Sequence, residues 1–177
     1  GANSYTGGST VSAGTVRVGN ATALGTSASS VTVNSGAVLD LYGTTMTATN
    51  PLTLNGTGIS SGGALINSSN TAATYAGLLT LGSNSSIVAN YGAITLSNTG
   101  TVLGSGFGLT LGGGTGGTLA SIIGTGAGTL TKQDSGTWLL TGASTYTGGS
   151  SINAGTLKVG NPTALGGNAG GVTVSAG

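Results

Sequence analysis

Two carboxylates are the whole acidic content of this sequence: Asp40 in the alternating run Val38-Leu39-Asp40-Leu41, and Asp134 in Lys132-Gln133-Asp134-Ser135-Gly136. A pair of acids can cleave a glycosidic bond, one donating a proton and the other attacking or activating water, if the fold brings them close. Histidine and cysteine are absent. Neither a Ser-His-Asp nor a Cys-His arrangement can be built, and thiolate metal sites and disulfides are excluded with them. The Gly-rich stretch Gly108 to Thr118 lacks the following Lys-Ser/Thr and the helix that a phosphate loop needs. Its glycines also lack the aspartates of calcium-binding nonapeptides. The expectation is no catalytic residue, no cofactor and no metal site.

Weaker binding signals remain. Tyr5, Tyr42, Tyr75, Tyr91, Tyr146 and Trp138 could stack on sugar rings, although single aromatics more often pack against their own fold. Thr45-Met46-Thr47-Ala48-Thr49 and Thr129-Leu130-Thr131 raise an ice-binding surface, but the threonine rows read as irregular. Asn20, Asn55, Asn67 and Asn84 open Asn-x-Ser/Thr triplets, which a Ser/Thr-rich chain produces by chance.

Charge bounds the partners. Only 3% of 177 residues are charged, for a net charge of +1. Arg17, Lys132 and Lys158 are too few and too scattered to grip phosphates, which argues against nucleic acid. The chain is 37% apolar, too hydrophobic and too neutral for a disordered polymer. Gly, Ser and Thr break every apolar run before it could cross a bilayer. No leader-like stretch opens the sequence, which suits a processed chain or an internal fragment.

The elements that must position these residues are short. VTV, LTL, ITL and LKV runs alternate apolar and small polar residues, the period-2 pattern of half-buried strands. NG, GG, SG and SN turn formers separate them. No window carries an amphipathic helical stripe. The candidates include Val31 to Val33, Ala37 to Leu41, Leu78 to Leu81, Ile87 to Ala89, Thr118 to Ile123 and Thr137 to Leu140.

The chain also repeats itself. Gly1 to Gly36 aligns without a gap on Gly142 to Gly177. Tyr5 falls on Tyr146, which sets a 141-residue repeat (146 − 5). Val11 becomes Ile152, Val16 becomes Leu157, and Arg17 becomes Lys158. A fixed period with strands this short points to an all-β fold, a right-handed parallel β-helix (β-solenoid) with three strands per coil. Seven coils to each repeat would give roughly 20 residues per coil. Residues 1–177 are then one continuous solenoid segment, with 1–36 and 142–177 as equivalent parts of a 141-residue repeat. Inward Val, Leu and Ile would fill the bore, and outward hydroxyls and amides would stack without repulsion. The cut ends would be open strand edges with few charges to guard them, which further repeats could cover.

GAGTLTKQDSGTWLLTGASTYTGGSSINAGTLKVG, from Gly126 to Gly160, resembles the autotransporter-associated β-strand repeat of bacterial type V passenger domains. Gly126, Gly128, Leu130 and Lys132 match its G-x-G-x-L-x-K opening. Gly136 to Gly142 matches G-T-L-x-L-x-G, with Trp138 in place of Leu. Ser144 to Ser150, Asn3 to Ser9, Ala154 to Gly160 and Ala13 to Gly19 match the remaining elements. Ala37 to Thr125 shares only the texture, and no β-barrel translocator is present, so the resemblance implies a passenger fragment. It implies a secreted or surface-exposed rod, either a structural repeat of an extracellular fibre or an adhesin stalk. The expected partners are copies of itself or further repeats, head to tail, and surface polysaccharide; neither nucleic acid nor membrane insertion is expected. An ice-binding solenoid and a polysaccharide-active enzyme are the remote alternatives.

Overall fold

The computed structural model describes residues 1–167 and 170–175. Asn168, Ala169, Ala176 and Gly177, which belong to the second copy of the repeat, lie outside the described residues. Every strand pairing among the described residues is parallel, and the strands stack on three faces of a solenoid. On the first face lie Ser9–Val11, Val31–Val33, Leu52–Gly56, the start of Leu79–Ala89, Thr101–Leu103 and Ile122–Gly124. On the second lie Gly14–Arg17, Ala37–Asp40, Leu65–Asn67, the end of Leu79–Ala89, Leu109–Gly112, Leu130–Lys132, Ser150–Ile152 and Val172–Val174. The third carries Thr45–Met46, Ala73–Tyr75, Ile94–Leu96, Gly116–Leu119, Thr137–Leu140 and Thr156–Val159. A 3-10 turn, Ile59–Ser61, interrupts this pattern.

Most strands are three or four residues long, and their side chains alternate between bore and surface. The first and third point inward in strands such as Val31–Val33 and Ile94–Leu96, the second in Thr101–Leu103 and Ile122–Gly124, and the second and fourth in Thr137–Leu140. Val31, Val33, Leu52, Leu54, Ile94, Leu109, Leu111 and Leu130 accordingly fill the bore. Trp138 shares its inward column with Ile94, Gly117 and Leu157. A Cβ at Gly117 would run into the Ile94 backbone, and the neighbouring indole donates its Nε1 to the Gly112 carbonyl at 3.0 Å. Tyr75 likewise donates its hydroxyl to the Asn50 carbonyl. Both buried aromatics therefore keep a hydrogen-bond partner, as polar-tipped rings in a core must.

Two details differ from the sequence reading. Leu79–Ala89 is one strand bent around a corner, not two. Thr118 to Ile123 is two strands, Gly116–Leu119 and Ile122–Gly124, with the chain turning at Ala120 and Ser121.

The coil is also longer than the sequence suggests. Register steps range from a short one, Leu139 to Lys158, to a long one, Thr45 to Thr74. The typical coil holds roughly 22 residues. The reason lies in the phase of the repeat. Ser9–Val11 sits on the first face, whereas Ser150–Ile152, its equivalent one repeat on, sits on the second. Gly14–Arg17 sits on the second face, and Thr156–Val159 on the third. One repeat makes six turns plus one face, not seven whole turns, and fewer turns over the same length means longer coils.

Candidate functional site

The two carboxylates do not meet. Asp40 ends one second-face strand and Asp134 follows another, four coil steps away, roughly 19 Å at the ~4.8 Å strand spacing. Each is tied into the backbone. Asp40 is buried, and its Oδ2 accepts from Arg17 Nε at 3.0 Å and from the Ser68 hydroxyl at 2.7 Å. Its Oδ1 accepts from the Tyr42 and Ser68 amides. The Arg17 guanidinium also lies 4.2 Å from the centre of the Tyr42 ring, a cation–π arrangement. Asp134 turns the chain with φ of 61° and accepts the Gly113 amide at 2.7 Å.

Lys132 is a buried cation used as a clamp. Its ammonium donates to the carbonyls of Gln133, Asp134 and Ala154 at 2.6, 2.6 and 3.0 Å. Burial pushes its pKa below the usual lysine value, partly offset by the Asp134 carboxylate. Three donors meet three acceptors, so the lysine stitches one coil to the next instead of presenting a nucleophile.

Asparagines act in the same way at other corners. Asn50 Nδ2 donates to Leu24, Thr26 and Ser29 carbonyls, Asn55 to Val33, Asn67 to Thr71 and Ala93, and Asn98 to Ala76. Asn55 and Asn67 head two of the Asn-x-Ser/Thr triplets, and their amide nitrogens are engaged between coils.

The aromatics divide. Trp138, Tyr75 and Tyr146 are core, while Tyr5, Tyr42 and Tyr91 are exposed. Threonines fall into order that the sequence hides. Thr10, Thr32, Thr53 and Thr80 are stacked partners on the first face. Thr45, Thr74, Thr95 and Thr118 stack on the third. Ser86, Thr110, Thr131, Ser151 and Thr173 stack on the second. Each row holds its order for four or five coils, and two of them then break, at Leu103 on the first face and at Leu139 on the third. The rows are thus more ordered than the sequence suggested without running the length of the solenoid. Each is single-file, because a three-residue strand offers one outward position, whereas a Thr-x-Thr surface needs two columns side by side.

One surface depression went unread in the sequence. It measures about 610 Å³ and is lined by Leu103 to Gly106 and Gly124 to Ala127. Its signal was two glycine-rich corners, Gly104-Ser105-Gly106 and Gly124-Thr125-Gly126, one coil apart. Its lining is uncharged, with Leu103 half exposed at its edge.

Comparison with known proteins adds the family. Residues 1–18 and 130–159 match the passenger-associated-transport-repeat family. A 38-residue stretch is 60% identical to a protein described as Adhesin BmaC autotransporter from Brucella suis biovar 1 (strain 1330). That match covers 22% of this chain and 1% of the adhesin, so the chain spans a very small part of that relative. No solved structure matches the chain. Within the β-solenoid, the similarity to a passenger-associated transport repeat thus rests on residues 1–18 and 130–159.

Proposed function

We propose that this chain is a structural repeat of a bacterial extracellular or cell-surface fibre, a rigid rod in which 141-residue units stack head to tail. The observation that carries this reading is the use made of polar groups. Carboxylates, the buried lysine and the corner asparagines all join one coil to the next. Parallel ladders on three faces around an apolar bore resist bending, since deforming the rod breaks many backbone hydrogen bonds at once. Neutral hydroxyl ladders suit such a stack, because like charges repeated every ~4.8 Å would repel. Similarity to an autotransporter passenger supports export to the cell surface. Similarity to a passenger repeat supports a non-enzymatic role, with the two acids as structural ligands.

A second reading is an adhesin stalk, favoured by the matched relative being described as an adhesin. Surface polysaccharide would be its partner class, met through exposed Tyr42 and Tyr91.

Immunogold electron microscopy of the native cell surface tests the proposal. Gold-labelled antibody against this chain should decorate long thin filaments at regular intervals. Label confined to the tips of short separate rods would favour the stalk, and label inside the cell would overturn both.

A further inference from the structure

The end of the solenoid at Thr156–Val159 is an incomplete copy of a contact completed elsewhere in the same chain. In the first copy of the repeat, the next coil lays Ala37–Asp40 along Gly14–Arg17. Asp40 then pairs with Arg17, Val18 donates its amide to the Asp40 carbonyl at 2.8 Å, and Thr44 donates its hydroxyl to the Val18 carbonyl. Under this cover Val18 is 1% exposed. Asn50 closes the following corner through the carbonyls of Leu24, Thr26 and Ser29.

In the second copy the same positions stand open. Lys158 takes the place of Arg17, is exposed, and has no ion-pair partner among the described residues. Val159 takes the place of Val18 and is 51% exposed. Leu165, Gly167 and Gly170 present the carbonyls equivalent to those that Asn50 caps. Thr156–Val159 pairs on one side only, with Thr137–Leu140.

We infer that this end receives a second 141-residue unit of the same sequence, whose Ala37–Asp40 strand pairs with Thr156–Val159 and sets its Asp40 carboxylate against Lys158. The inference rests on the head-to-tail reading and adds a rotation to it. Gly14–Arg17 lies on the second face and Thr156–Val159 on the third, so the incoming unit is turned forward by one face. Three units bring a surface feature back to its original side. A depression or tyrosine carried once per unit would therefore appear on all three sides of the rod in turn. The advance per unit is about six and one-third coils, roughly 30 Å at ~4.8 Å per coil.

The test extends the full chain by a second copy of residues 37–177 directly after Gly177 and determines the structure of the product. The expected result is one continuous solenoid, with the appended unit advanced by roughly 30 Å and rotated by one face. Its Asp40 carboxylate should lie within ion-pair distance of Lys158. In solution, Lys158→Gln should leave the melting temperature of the unextended chain within about 1 °C and lower that of the extended chain by about 1–3 °C. A continuous solenoid with the unit in phase after seven whole coils, an advance of roughly 34 Å, overturns the inference and leaves head-to-tail stacking standing. So does a continuous solenoid with no contact at Lys158. Two solenoids joined by an unpaired link overturn the stacking itself.

Discussion

Residues 1–25 and 142–166 are nearly the same sentence written twice, and their local structure is the same. Tyr5 meets the Ser9 hydroxyl as Tyr146 meets that of Ser150. Asn20 Oδ1 accepts from Thr22 as Asn161 Oδ1 accepts from Thr163. The difference is what lies on either side. Tyr5 is 39% exposed at the end of the stack, while Tyr146, with coils on both sides, is 1% exposed. Local sequence sets the turn and the hydroxyl contact; neighbouring coils decide how much each residue contributes to stability. That is the behaviour of a one-dimensional stack, where each unit is stabilised mainly by its neighbours.

Paired substitutions should therefore give unequal effects. The largest gap is expected for Tyr146→Ala against Tyr5→Ala. Loss of a buried ring costs about 3–5 kcal/mol, and loss of the half-exposed one about 1 kcal/mol or less; urea unfolding of both variants measures the gap. Equal costs would break the comparison. The same buried phenol carries a pH signature. Burial raises the pKa of Tyr146 and Tyr75, only partly countered at Tyr146 by the Ser150 hydrogen bond. Above about pH 10 the unfolded phenols ionise first, so the unfolded chain holds fewer protons and stability falls with rising pH. Tyr146→Phe should flatten that fall in a pH series of melting temperatures.

Next come Gly155→Ala and Gly14→Ala, again equivalent positions, with φ of 68° and 71°. Both variants force alanine into a left-handed conformation, at about 1 kcal/mol. At Gly14 a Cβ meets nothing within 4 Å. At Gly155 it presses on the Asp134 and Gly136 carbonyls and lies 2.8 Å from Lys132 Nζ. Gly155→Ala should therefore cost about 3 kcal/mol in total, measured by the same unfolding curves.

Lys132→Met sharpens the account of the interior clamp. Three carbonyls lose their donor, at about 1–3 kcal/mol, while removing a buried charge offsets part of that cost. Because the folded pKa of Lys132 lies below that of the free side chain, its unfolded form binds more protons between the two values. Its contribution therefore grows as pH rises through that window, and the variant should lose this slope. The smallest effects belong to the cations of the two copies. Arg17→Ala should cost about 1 kcal/mol, since it leaves Asp40 without its ion partner. Lys158→Ala should change the stability of this chain by less than about 0.5 kcal/mol.

The strands were legible because a three-residue strand announces itself: VTV at Val31–Val33 and TWLL at Thr137–Leu140 fall where alternation put them. Thr101–Leu103 sets Val102 and Leu103 side by side without alternation, and Ala73–Tyr75 opens on a small alanine, so neither stood out; the coils on either side hold them in place. Threonine ladders were hidden for another reason. The step from Thr32 to Thr53 is much shorter than the step from Thr45 to Thr74, because each corner and the Ile59–Ser61 turn take up different lengths of chain. No single period in the sequence lines the ladders up. The shorter coil expected from the sequence assumed that the repeat closes on whole turns, and the extra face could be seen only from the register. Asp40 occupies a strand position within its alternating run, and Asp134 turns the chain. Arg17 as the partner of Asp40, and Lys132 as a buried clamp, depended on which coil lands on which.

Backbone hydrogen bonds that run along the rod axis, coil to coil, are what the whole account rests on. Electron or fibre diffraction from an oriented sample of the purified chain tests them most directly. A strong meridional reflection near ~4.8 Å is the expected result. A reflection at that ~4.8 Å spacing on the equator, or none at all, would contradict the stacked-coil account.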